Sequence, residues 1–169
     1  MLSEILISPL ILADVDALSK VVIFMAEFIR NDVQLVNPGS PVILDTAIGC
    51  NKGYVYHRPQ SGIVTLRGIT SGCFARYQVT FNANIALAEG ATVGPISVAL
   101  AIDGEPLLTS NAIVTPAAVG DYFNVTSTAI ITVPKGCCWN VSVENTSVGA
   151  TTNPQINVQN ATLVVSRIA

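Results

Sequence analysis

Two adjacent cysteines, Cys137 and Cys138, stand beside the single tryptophan, Trp139, in the stretch VPKGCCWNVSVEN. Thiols offer three kinds of chemistry: metal ligation, redox exchange and disulfide formation. Cys50 and Cys73 complete a set of four, which permits three disulfide pairings. No spacing among them resembles a zinc knuckle. Neighbours on a strand point to opposite faces, so Cys137 and Cys138 are poorly placed to grip one metal together. Three readings stay open: unpaired or part-buried thiols, a Cys50–Cys73 bridge, and redox or metal chemistry.

The lone histidine, His57, sits in CNKGYVYHRPQSG with Tyr54, Tyr56 and Arg58. With one histidine, any Ser-His-Asp triad would have to use it, and no carboxylate lies within six residues after it. A loop of tyrosines and cations suits glycan or protein recognition, which makes Tyr54, Tyr56, His57 and Arg58 the candidate ligand-binding residues. The plainer reading is a strand and loop whose tyrosines pack the core.

Other chemistry is sparse. Asp103, Glu105 and Asp121 all fall at turn-like positions, where turn geometry accounts for acidic residues. The stretch GATVGP leads into strand-like rather than helical sequence, so it is no phosphate loop. An enzyme is not expected, nor is a cofactor or metal. Asn-X-Ser/Thr triplets begin at Asn124, Asn140, Asn145 and Asn160; they read as strand surface rather than as glycan acceptors.

The elements that position these residues come in two textures. Hydrophobic residues make up 50% of the 169, whereas charged ones make up 11%, against roughly 25% in ordinary soluble domains. So little charge implies that part of the surface is covered by other subunits. A net charge of −3 argues against a nucleic-acid partner. Residues 1–36 read as an N-terminal α-helix. Ser8-Pro9 resembles a cap and first turn, and Ile11, Val15, Leu18, Val22, Met25 and Ile29 follow a heptad seam. Leu10, Leu12, Phe24 and Phe28 lie off that seam, so the helix must also dock, as an anchor. Charged residues interrupt it, leaving no uncharged run of about 18 residues to span a membrane. The start lacks the pattern of a secretory signal. Residues 37–41, NPGSP, break the helix as a linker.

From residue 42 to 169 the chain alternates in short runs between turns, the mark of a β-sandwich or barrel. In ARYQVTFNANIAL, Tyr77, Val79, Phe81, Ala83, Ile85 and Leu87 share one face. Asp103-Gly104 signals a two-residue hairpin. Trp139 falls on the apolar face with Cys137 in phase and Cys138 opposite, so the cysteine pair marks the beginning of a strand. In the last run, NATLVVSRI, Leu163 and Val165 point one way and Val164 and Ile168 the other. A strand apolar on both faces is expected to meet neighbouring subunits.

In order, RYQVTFNANI, VALAIDGEPLLTSNAI, FNVTSTAIITVPKGCCWNVSVEN and INVQNATLVVSRI resemble the globular heads of tumour necrosis factor, complement-type proteins and bacterial collagen-like exosporium glycoproteins. The resemblance covers about residues 40–169. It extends to cysteine-bearing heads of phage tail-fibre or head-appendage proteins. It implies a mainly β, TNF-like jelly roll that assembles as a homotrimer through one sheet face. There is no collagen repeat before the head, and VPKGCCW replaces the family's Gly-Asp turn, so no calcium site carries over. The expected function is a structural virion surface protein, a capsid decoration, head fibre or tail appendage. Its N-terminal helix would seat in a capsid or other virion protein, and its head would contact the host surface. The alternative is an exosporium or cell-surface adhesin head that binds carbohydrate through the tyrosine loop.

Overall fold

The computed structural model describes residues 24–49, 53–148 and 154–169. Two antiparallel sheets face each other. The first runs in the order β10 (Phe123–Pro134), β6 (Phe74–Leu87), β12 (Ile156–Arg167), β1 (Phe24–Arg30) and β3 (Thr46–Ile48), with β2 (Gln34–Val36) pairing against β12. The second runs β4 (Val55–His57), β5 (Val64–Arg67), β11 (Cys138–Asn145), β7 (Ile96–Ile102) and β8 (Glu105–Pro106), with β9 (Ala112–Val114) pairing against β7. A 3-10 turn, Leu108–Ser110, joins β8 to β9.

Alternation decides which side chains fill the space between the sheets. On β6, Tyr77, Val79, Phe81, Ala83, Ile85 and Leu87 are fully buried, as the sequence pattern predicts. Val125, Ile131 and Val133 of β10 meet them, with Leu163 and Val165 of β12 and Val98, Leu100, Val141 and Val143 of the facing sheet. The β7–β8 turn is the Asp103-Gly104 hairpin, with φ of 50° and 84°, the left-handed pair such a turn requires.

The N-terminal helix is corrected over residues 24–36. Phe24–Arg30 is a strand, paired with β12 in seven consecutive registers from Phe24↔Arg167 to Arg30↔Ala161, and Gln34–Val36 is another. Met25 and Ile29, read as the end of a heptad seam, lie on the outward side of β1. Phe24, Ala26 and Phe28 are its buried side. A four-residue step fits both a helix and a strand, and the phenylalanines off the seam were the inward set. Ile11, Val15, Leu18 and Val22 lie outside the described residues. The 37–41 stretch runs along the end of β11, where the Gly39 amide donates to the Asn145 carbonyl at 2.8 Å and Pro41 bridges Glu144.

Candidate functional site

The predicted ligand loop does not converge. Tyr54 is half-buried, its ring edge-on to Phe24 with centroids 5.4 Å apart and under the Arg167 guanidinium at 4.3 Å. His57 is 7% exposed. Its Nε2–H donates to the Ser61 carbonyl at 3.0 Å, its ring leans on Phe28 at 4.7 Å, and Nδ1 is buried without a partner. Only Tyr56 and Arg58 face outward. Alternation along β4 buries His57 and exposes Tyr56, whereas Tyr54, just ahead of the strand, is drawn in by its contacts with Phe24 and Arg167.

Among the thiols, the placement of Cys137 departs from expectation. Cys137 precedes β11, in a turn where its amide donates to the Pro134 carbonyl at 3.0 Å. It is therefore exposed rather than on the apolar face. Cys138 and Cys73 are exposed too, and the Lys135 amide donates to the Cys73 carbonyl at 2.9 Å. Cys50 lies outside the described residues, so its pairing with Cys73 has no geometry. No three His, Cys, Asp or Glu side chains among the described residues are grouped to hold a metal ion. No helix among them is long and apolar enough to cross a membrane.

Between Tyr54 and the cysteine turn lies Tyr77, fully buried. Its hydroxyl donates to the Arg67 carbonyl at 2.6 Å and approaches that of Tyr54 at 3.4 Å. Burial pushes its pKa up, against the opposing pull of Arg167. The folded state thus holds the phenolic proton more tightly than the unfolded chain. Its contribution is complete below about pH 10 and is lost as pH rises through the higher folded value. Tyr77→Phe should cost about 1–2 kcal/mol at neutral pH. In urea melts at stepped pH it should also lack part of the alkaline loss seen in the parent.

The broadest feature is the outward face of the first sheet. Strand registers set its side chains in rows: Met25, Ser166, Gln78 and Ile130; then Ile48, Glu27, Val164, Thr80 and Thr128; then Thr46, Ile29, Thr162, Asn82 and Thr126. Neutral amides and hydroxyls bond across it. Asn82 Nδ2 donates to Thr126 Oγ1 at 2.8 Å and Asn124 Oδ1 at 3.1 Å, and Asn124 Nδ2 donates to Asn84 Oδ1 at 3.1 Å. In those rows the one charged side chain is Glu27. Arg76 stands in the next row, opposite Thr132, so the face flanking β12 is sparsely charged and mostly polar rather than apolar: Val164 is half-exposed there, and Ile168 lies beyond the strand.

At the rim of this face β10 is an edge strand of 12 residues with no charged side chain. Beside it a groove of about 620 Å³ runs past Ile102, Leu107 and Trp139, and the Trp139 indole donates to the Thr132 carbonyl at 3.2 Å. Natural edge strands usually carry charges, prolines or bulges that block pairing. Here Pro134 ends the strand, and its pairing with β6 has no register shift.

No protein-family model matches the chain, and no curated protein does. Solved structures do. The globular domain of zebrafish complement 1qA protein is 16% identical with a TM-score of 0.59, covering 86% of this chain and 96% of its own. Eiger TNF from S. frugiperda is 14% identical with a TM-score of 0.58, covering 87% and 93%. Murine APRIL is 12% identical with a TM-score of 0.51, covering 86% and 99%. At these identities the likeness is one of architecture, and the chain has a C1q/TNF-like jelly-roll fold.

Proposed function

We propose that the chain is a non-catalytic, homotrimeric head displayed on the outside of a virion. The observation that carries assembly is a pair of matching surfaces on one molecule. The sparsely charged face of the first sheet and the uncharged β10 edge both carry less charge than a surface kept wet on its own. Set against each other in neighbouring copies, they form a head-to-tail contact that closes into a ring. The trimeric count comes from the family resemblance.

Display follows from polarity. β1 starts beside the end of β12, at Phe24↔Arg167. The start of β1 and the end of β12 therefore lie at one pole, while the loops around residues 88–95 and 115–122 lie at the other. Attachment to a capsid or other virion protein at the first pole points the second outward, towards a host surface. The resemblance to phage appendage heads supports the virion, and the low charge supports burial between subunits. With Tyr54 and His57 turned inward, the glycan-binding alternative loses half of its candidate residues.

Light scattering at micromolar concentration is expected to give a trimer. Val164→Glu, which sets a second carboxylate beside Glu27 in the row, should raise the dissociation constant on the order of a hundredfold or more, since an unpaired buried charge costs about 3–5 kcal/mol. Its circular dichroism should stay native, because Val164 faces away from the core. A monomeric parent protein would sink the reading.

A further inference from the structure

On the outward face of the second sheet, Ser142 and Glu144 of β11 lie across from Ala101 and Ala99 of β7. All four are buried, although alternation aims them away from the core. Glu144 is 7% exposed, and its Oε1 accepts the Ser142 hydroxyl at 2.9 Å. The ion pair present among the described residues joins Arg30 and Asp45 instead. A carboxylate withdrawn from water without a counter-charge is among the costlier groups a fold can bury. A groove of about 390 Å³ opens onto it, walled by Pro38 and Pro106, with Leu108 and Val148 lining its rim. Those two are 80% and 72% exposed.

The geometry points to a binding site for an alkyl-ammonium group, as carried by a lysine side chain or a free amine. Apolar walls suit a methylene stem, and the carboxylate suits the cation at its end. Ser142 already occupies one carboxylate oxygen. A compact ammonium therefore fits better than a guanidinium, whose fork needs two coplanar acceptors. The other polar groups of the wall are engaged elsewhere. Asn145 Nδ2 donates to the carbonyls of Val36 and Pro154, Thr146 Oγ1 to Asn111 Oδ1, and Ser147 Oγ accepts the Ser97 amide. Glu144 is left to direct the ligand. The groove lies on the second sheet, away from the outward face of the first.

The test uses the full chain with ¹³C-labelled methyl groups, titrated with pentylamine at neutral pH. Saturable shifts are expected at Leu108 and Val148. Pentanol, the uncharged counterpart, should bind about tenfold more weakly, as loss of one charge-assisted hydrogen bond implies. Glu144→Gln should abolish that preference with native circular dichroism. Should Glu144→Gln fail to fold, Leu108→Ala at the exposed rim carries the test, because it should weaken amine binding while leaving the preference over pentanol. A blocked lysine tripeptide binding more tightly than pentylamine assigns the groove to a partner protein's lysine, and the reverse order to a free amine. Equal shifts with amine and alcohol, no shifts, or an unchanged preference in a folded Glu144→Gln would overturn the site.

Discussion

A chain starting at residue 37 is expected not to fold, whereas one starting at residue 24 should fold and assemble like the parent. The shorter chain lacks β1 and β2, which bury Phe24, Ala26, Phe28 and Val36. Each fully buried large apolar side chain is worth about 1.5–3 kcal/mol. β1 also fills the place between β12 and β3, so its loss strips β12 of its partner along seven residues. Together these exceed the lower end of the roughly 5–15 kcal/mol that holds a domain folded. Circular dichroism and thermal melting distinguish the two truncations. The longer one also tests the proposed attachment: if residues 1–23 hold the head to a particle, a folded chain without them should no longer bind it. Retained binding would move the attachment into the head itself.

Gly68→Ala is the point substitution expected to do most damage. A Cβ there would lie 1.9 Å from the Pro134 carbonyl oxygen and 2.9 Å from its carbon. Both are backbone atoms, with no side chain to swing aside. The Gly68 amide donates to the Cys137 carbonyl at 2.8 Å, and its own carbonyl accepts the Gly136 amide at 3.0 Å. Room for a methyl group opens only by breaking this clasp between the β5–β6 loop and the β10–β11 turn. Overpacking of this kind costs typically 1–3 kcal/mol, and the paired hydrogen bonds add about 1 kcal/mol each. Gly136→Ala makes a useful contrast. Nothing lies within 4 Å of its Cβ, but its φ is +79°, a conformation that costs about 1–2 kcal/mol for an L-residue. Urea unfolding should rank Gly68→Ala clearly below Gly136→Ala, and equal midpoints would contradict the clasp.

Where a residue's role is set by its own strand, the sequence displayed it. The inward set of β6 and the hairpin at Asp103-Gly104 both follow from two-residue periodicity and turn chemistry. The first strand was hidden because Met25 and Ile29 satisfy two periods at once, and seven residues are too few to separate them. Cys137 was misplaced by one position, since alternation cannot say where a turn stops and a strand starts.

Roles set by distant segments were not legible. Asn145 reads as surface in an Asn-X-Ser triplet, and Asn124, Asn140 and Asn160 are indeed exposed. Asn145 is instead 1% exposed, because it holds the carbonyls of Val36 and Pro154. Glu144 is buried for a related reason: residues 38–43 run along the end of β11, more than a hundred positions later in the chain. The sparsely charged outward face of the first sheet was readable residue by residue. Its meaning was not, because a polar side chain on an alternating strand looks the same whether water or a neighbour covers it.

The closeness of the last residue to the start of β1 carries a practical consequence. The Arg76 amide donates to the Ala169 carbonyl at 2.8 Å, which pins the last residue near the start of β1. On the proposed attachment at this pole, a cargo fused after Ala169 would be pressed against the surface that holds the protein. A tag or epitope meant to be seen from outside belongs in the turn around Glu89 and Gly90, at the far tip.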